Sequence, residues 1–76
     1  MTQWYVREAD KRNEDGNPLY VLFCDGRLAE RADYAVITAI VRKEMSPGDT
    51  YQEASSPVCS YEEMADLWRR VDALDG

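Results

Sequence analysis

The sequence predicts a small α+β domain, in which an antiparallel sheet built on an N-terminal β-hairpin packs against a C-terminal amphipathic helix. Two patterns carry this prediction. Near the N-terminus, a segment of alternating apolar and polar side chains and a second, mostly apolar segment lie on either side of a turn-rich stretch, as in paired strands. Near the C-terminus, apolar residues recur every three or four positions, as in a helix with one buried face. A chain of 76 residues has room for one hydrophobic core, so we expect residues 1–76 to form a single domain.

The N-terminal hairpin is predicted from two strand-like segments and the turn between them. Over residues 2–9, Trp4 and Val6 lie on one side of an extended chain, and the pattern is rich in aromatic and β-branched residues. Residues 13–18 contain Asn, Gly and Pro, which favour turns. Residues 19–24 are apolar enough for a strand buried on both faces. We therefore expect the two strands to pair antiparallel.

The middle of the chain allows two interpretations. After a tight turn at residues 25–26, residues 27–31 can return as a short third strand. Asp33 can then cap a helix, giving a second helix over residues 33–45 with an apolar stripe. The alternative is a strand over residues 34–41, which the β-branched side chains favour. We prefer the helix, because Asp33 is a good cap and no turn separates it from the preceding segment.

The C-terminal helix has the clearest signals. Residues 50–56 are polar and expected to be extended, as an edge strand that ends at Pro57. Ser60 and Glu63 then have the spacing of a capping box, in which each side chain accepts a hydrogen bond from the other residue's backbone. The helix that follows has an apolar stripe that we expect to pack on the sheet. Its members are Met64, Leu67, Trp68, Val71 and Leu74.

The composition argues against catalysis and against a bound metal or cofactor. The chain has no histidine, which is the usual base for Ser and Cys nucleophiles. Two cysteines without histidine cannot complete a four-ligand zinc site, and the four glycines are too scattered for a phosphate-binding loop. We therefore expect a binding protein that is not an enzyme and has no cofactor and no metal. A subunit that completes an active site across an oligomer is the remaining enzymatic hypothesis.

The charge is distributed unevenly. Residues 1–43 contain seven acids and seven bases, whereas residues 44–76 contain eight acids and only two arginines, so the second part carries the whole net charge of −6. Direct binding of nucleic acid needs a surface with an excess of cations, and this chain has an excess of acids, so we do not expect it to bind nucleic acid. If the carboxylates share one side of the fold, they would attract a protein partner with a basic, nucleic-acid-binding surface. The same charge also suits a small domain that needs only solubility.

The candidate partner-binding residues are the acids of this second part and one tyrosine that could anchor the contact. They are Glu44, Asp49, Tyr51, Glu53, Glu62, Glu63, Asp66 and Asp72, with Asp75 completing the acidic set. Tyr is a favoured contact residue, and we expect Tyr5, Tyr20 and Tyr51 to be partly exposed.

In size, acidity and lack of catalytic residues, the chain resembles the small anti-CRISPR inhibitors made by bacteriophages and mobile elements. The resemblance rests on no shared motif, so it assigns no residue. It implies a stoichiometric inhibitor that binds a bacterial CRISPR-type defence nucleoprotein complex and blocks its access to target DNA. The charges of residues 1–43 are balanced, which departs from the most acidic members of that class.

The alternative function is a small regulatory or antitoxin-like protein-interaction module. It would use the exposed face of the β-hairpin, with Tyr5, Arg7 and Tyr20 as contact residues. For either function we expect a monomer in the cytoplasm of the bacterial host cell, without membrane contact. Residues 1–7 lack the basic and apolar regions of an export signal, and the longest nearly apolar run, residues 34–41, is far shorter than the ~20 residues of a membrane helix.

Overall fold

The computed structural model describes residues 1–75 and confirms the α+β class. The elements follow one another in the order β1 (Gln3–Arg12), β2 (Pro18–Cys24), β3 (Arg27–Asp33), α1 (Tyr34–Glu44), β4 (Thr50–Glu53), β5 (Cys59–Ser60) and α2 (Tyr61–Asp75). The predicted hairpin is confirmed, because β1 and β2 pair antiparallel with Val6 opposite Leu22. The third strand also forms and pairs antiparallel with β2.

Over the described residues the strands form one mixed sheet in the order β3-β2-β1-β4-β5. The sheet is not wholly antiparallel, because β4 pairs in parallel with β1. The chain direction explains this difference: β1, β2 and β3 alternate in direction, α1 carries the chain back, and β4 then runs in the direction of β1. β4 is not the edge strand we expected. It lies between β1 and the two-residue strand β5, which forms the edge.

Helix α1 forms where the sequence allowed either a helix or a strand. Its N-cap is Asp33, whose Oδ1 accepts a hydrogen bond from the backbone N–H of Val36 at 3.0 Å, as predicted. Ile37 and Val41 are buried on its inner face. They join residues of the strands in one core, and burial on one helical face outweighs the weak strand preference of β-branched side chains. The core consists of Trp4, Val6, Leu22, Ile37, Val41, Met45 and Tyr51.

Helix α2 begins with the predicted capping box. The backbone N–H of Glu63 donates to Ser60 Oγ at 3.2 Å, and the backbone N–H of Ser60 donates to Glu63 Oε1 at 3.3 Å. The prediction that its whole apolar stripe packs on the sheet is wrong. Met64 and Trp68 are half-buried against the core, whereas the other three side chains are exposed, from 43% to 86%. Those three are Leu67, Val71 and Leu74.

The narrow sheet beneath α2 explains this exposure. The helix contacts β4 and β5, which contain four and two residues, and these short strands cannot cover a helix of 15 residues. Neither helix found among residues 1–75 is long and apolar enough to cross a bilayer.

Candidate partner-binding surfaces

Asp49 lies inside the fold, so it is not part of an outward-facing acidic surface. Only 7% of the residue is exposed. Its Oδ1 accepts from the backbone N–H of Thr2 at 2.9 Å, and its Oδ2 accepts from the backbone N–H of Ser46 at 2.9 Å and from Trp4 Nε1 at 3.2 Å. These donors, first those of Ser46 and Thr2, lower the pKa of Asp49. Its carboxylate joins the N-terminus, β1 and the turn before β4.

Tyr51 is buried, at 5% exposure, which corrects its assignment as an exposed anchor. Its hydroxyl donates to Glu53 Oε2 at 2.7 Å, and the Tyr34 hydroxyl donates to the same oxygen. Burial, followed by the hydrogen bond to the Glu53 carboxylate, raises the pKa of Tyr34 to about 12 and also raises the pKa of Tyr51. Glu53 is half-buried, and no Lys or Arg among residues 1–75 lies within ion-pair distance of it.

The remaining acids are exposed or half-buried, and most of them lie on α2. This helix contains five carboxylates and two arginines, a net charge of −3, and none of its residues Tyr61–Asp75 is buried. Arg69 and Arg70 both contact Asp66, at 3.4 Å and 3.0 Å. Asp72 forms an ion pair with Arg42 of α1, so an arginine of the N-terminal part does fold over one of the acids.

The eight predicted acids therefore do not form one continuous surface. Asp49 and Glu53 bond within the fold, while Asp66 and Asp72 are paired with arginines. The four that are exposed and make no ion pair among residues 1–75 are Glu44, Glu62, Glu63 and Asp75.

A second surface is the face of the sheet that carries no helix. Both helices contact the sheet from the side of Trp4 and Val6, which leaves the alternate residues of β1 and β2 on the open face. Tyr5 and Phe23 lie opposite each other there, with ring centroids 6.1 Å apart, and the Arg7 guanidinium lies 5.6 Å from the Phe23 centroid. Leu28 of β3 pairs with Phe23 and is 60% exposed.

Tyr20 does not belong to this open face. It lies on the helix side, where its ring meets the Tyr34 ring edge-on at a centroid distance of 5.1 Å. The register explains the difference, because Tyr20 faces Glu8 in the ladder and therefore alternates with Val21, which faces Arg7. The three residues of the predicted hairpin interface are thus divided between two faces.

A third surface was not predicted from the sequence. An open groove of about 550 Å³ runs between α1 and α2, and we name it the interhelical groove. Tyr34, Thr38 and Arg42 of α1 line one wall, Leu67 and Val71 of α2 line the other, and Tyr51 lies at its floor. The sequence signal was present in the apolar stripe of α2, but that pattern cannot show how much of the stripe the sheet covers.

Residues 1–75 contain no group of three or more His, Cys, Asp or Glu side chains arranged to hold a metal ion. No protein-family model, curated protein or solved structure matches the chain. The surfaces described above are therefore the features from which a function is inferred.

Proposed function

We propose that this chain is a stoichiometric protein inhibitor that covers a basic, nucleic-acid-binding surface of a bacterial CRISPR-type defence complex and blocks its access to DNA. The observation that carries the proposal is helix α2, which is acidic, lacks buried residues and lies at the β5 end of the sheet. Its net charge of −3 attracts a lysine- and arginine-lined surface over several ångströms and raises the association rate.

The proposed contact surface contains fewer acids than the eight predicted from the sequence. It consists of the exposed face of α2 around Glu62, Glu63 and Asp66, and the exposed acids Glu44 and Asp75 add negative charge to the C-terminal part of the chain. Asp66 contributes after its two exposed arginine partners turn to solvent, because such surface pairs are held by less than about 1 kcal/mol. Asp49 and Tyr51 support the fold and do not contact the partner.

The test compares two variants with the same total charge. In the first, Glu44, Glu62 and Asp75 are each replaced by Lys, which spares the capping box. In the control, Asp10, Glu14 and Asp15 of the hairpin are replaced by Lys instead. Each variant is titrated into purified CRISPR effector complexes, one multi-subunit and one single-protein, and binding of labelled target DNA is measured by fluorescence anisotropy.

We expect the unmodified chain to abolish DNA binding at one copy per complex. The control variant should inhibit as strongly as the unmodified chain, whereas the first variant should not inhibit DNA binding. Inhibition should also weaken between about 50 and 200 mM salt, since exposed charges are screened. Equal inhibition by both variants would contradict the role of α2. Absence of inhibition by the unmodified chain would contradict the proposed target.

The second candidate function is a regulatory or antitoxin-like interaction module that uses the open face of the sheet. The cluster of Tyr5, Phe23 and Arg7 favours it, because aromatic residues and Arg are enriched at protein interfaces. A complex made through this face depends little on salt. Replacing Tyr5 with Ser and Arg7 with Glu should then abolish capture of the partner, while the variant with Lys at positions 44, 62 and 75 should still bind.

A further inference from the structure

The interhelical groove is an apolar surface that the chain itself leaves uncovered. Along α1 it extends from Tyr34 to Arg42, a length of about 12 Å at the helical rise per residue. On the facing wall, Leu67 and Val71 are 50% and 43% exposed. Trp68 is half-buried at the same wall. The volume, about 550 Å³, is within the range of about 300–1,000 Å³ typical of ligand sites.

Charge differs between the two ends of the groove. At one end, Glu53 accepts hydrogen bonds from Tyr34 and Tyr51 at a single carboxylate oxygen, Oε2, and no cation of residues 1–75 neutralises it. At the other end, Arg42 is already paired with Asp72, so this end is neutral. A half-buried carboxylate beside an apolar surface is complementary to an apolar occupant that carries a cation at one end.

The backbone around the groove favours a helical occupant. Both walls are helices, whose backbone groups are bonded internally, and at Tyr51 the floor strand pairs on both sides, with Trp4 and with Cys59. The edge strand beside the groove, β5, has only two residues, and the backbone N–H of Ser60 already donates to Glu63 Oε1. An extended peptide would therefore leave most of its own backbone groups unpaired there. A helix satisfies its backbone groups itself and needs only side-chain contacts, and 12 Å corresponds to about two helical turns.

We propose that the interhelical groove binds an amphipathic helix of a partner protein, with apolar side chains of that helix against Leu67 and Val71 and a Lys or Arg side chain paired with Glu53. This site goes beyond the acidic contact proposed above, because it lies between the helices and not on the outward face of α2. The groove gives affinity through apolar contact, and Glu53 fixes the orientation of the bound helix through its charge.

The experiment uses a displayed library of 16-residue helical peptides in which apolar and charged positions vary. Peptides are selected on the unmodified chain and counter-selected on the L67E/V71E variant, whose exposed positions tolerate the change; near-UV circular dichroism checks that this variant is folded. Binding of the enriched peptides is then measured with the Glu53→Gln variant and with the Glu62→Lys variant, which reverses a charge on the outward face of α2 and leaves the groove unchanged.

We expect enriched peptides to carry apolar residues at positions i, i+4 and i+7 and a basic residue near one end. The Glu53→Gln variant should bind them about tenfold more weakly, and the Glu62→Lys variant should bind them normally. The proposal is overturned if no groove-dependent peptide is enriched, or if the enriched peptides show no preference for a basic end. It is also overturned if the chain elutes at twice its mass and L67E/V71E restores the monomer, since a second copy would then fill the groove.

Because the acidic face and the groove use different residues, the two proposals fail independently. Loss of peptide binding with Glu62→Lys, but not with Glu53→Gln, would place the contact on the outward face of α2 and contradict the groove alone. Normal peptide binding together with no effect on any effector complex would contradict the proposed target alone.

Discussion

Asp49 and Glu53 are four residues apart, but their carboxylates accept hydrogen bonds from different kinds of donor. Asp49 is held by N–H donors from Thr2, Trp4 and Ser46, all of which stabilise the ionised carboxylate. Glu53 is held by two phenolic hydroxyls, at one oxygen only. The first arrangement serves the fold, and the second leaves a carboxylate that can still receive a cation. Each arrangement predicts a pH dependence of stability that substitution of a single side chain can test.

Asp49 should make the stability of the chain depend on pH in acid. Its pKa in the folded state is lowered, so its contribution to stability is present above the unfolded pKa of about 3.9 and is lost as the pH falls through the folded pKa. We expect the thermal midpoint to fall below about pH 4. In the Asp49→Asn variant the midpoint should be lower at pH 7 and fall less in acid, as measured by circular dichroism. An unchanged acid transition would contradict this role.

Tyr34 and Tyr51 should give the opposite dependence in alkali. A tyrosine whose folded pKa is raised contributes stability that is present below the unfolded pKa of about 10 and is lost as the pH rises through the folded pKa, about 12 for Tyr34. We expect two phenols to ionise only as the chain unfolds, which ultraviolet absorbance of the phenolate measures. The Tyr34→Phe variant should reduce the alkaline loss of stability, because it removes one of the two hydroxyls that donate to Glu53.

At the level of elements, the two helices show how similar patterns lead to different burial. Helix α1 lies over β2 and β3 and buries Ile37 and Val41. Helix α2 lies beside β4 and β5 and has no buried residue within Tyr61–Asp75. Local features must therefore contribute more to the stability of α2 than to that of α1. Its capping box is the main such feature.

Removal of the capping box should loosen α2 selectively. We expect Ser60→Ala to lower the free energy of opening α2 by about 1 kcal/mol, because the backbone N–H of Glu63 loses its acceptor. Amide hydrogen exchange of α2 residues measures this change. Ser56→Ala, an exposed serine in the loop before β5, is the control and should leave exchange unchanged. Equal effects of the two substitutions would show that the box does not stabilise the helix.

On the scale of the whole molecule, the two helices of residues 1–75 cover one face of the sheet, and the two ends of the sheet differ. The β3 end lies under α1, while the β5 end is short and carries the acidic helix α2. This arrangement separates a well-packed part, built on β1, β2 and α1, from a loosely packed part at the end of the chain. The acidic face of α2 belongs to the loosely packed part, the interhelical groove lies between the two parts, and the open face of the sheet belongs to the well-packed part.

Exchange across the whole chain should reveal this division. We expect backbone amides of α2 to exchange at least about tenfold faster than those of β1 and β2, because less apolar surface must be exposed to open the helix. Hydrogen exchange followed by NMR measures both sets in one sample. Similar protection in α2 and β2 would show that the molecule opens as one cooperative unit.

Local patterns in the sequence determined the hairpin, the Asp33 cap of α1, the capping box of α2 and the α+β class. Each depends on residues close together in the chain, whose hydrogen bonds and turn preferences do not require knowledge of the rest of the fold. Only the tertiary structure decided the parallel pairing of β4, the burial of Asp49 and Tyr51, and the exposure of the α2 stripe. These depend on which surfaces meet across long separations, such as Thr2 with Asp49 or Arg42 with Asp72. The charge pattern and the apolar periodicity of the sequence do not show how many apolar side chains of a helix the sheet covers. The interhelical groove could therefore be found only in the folded chain.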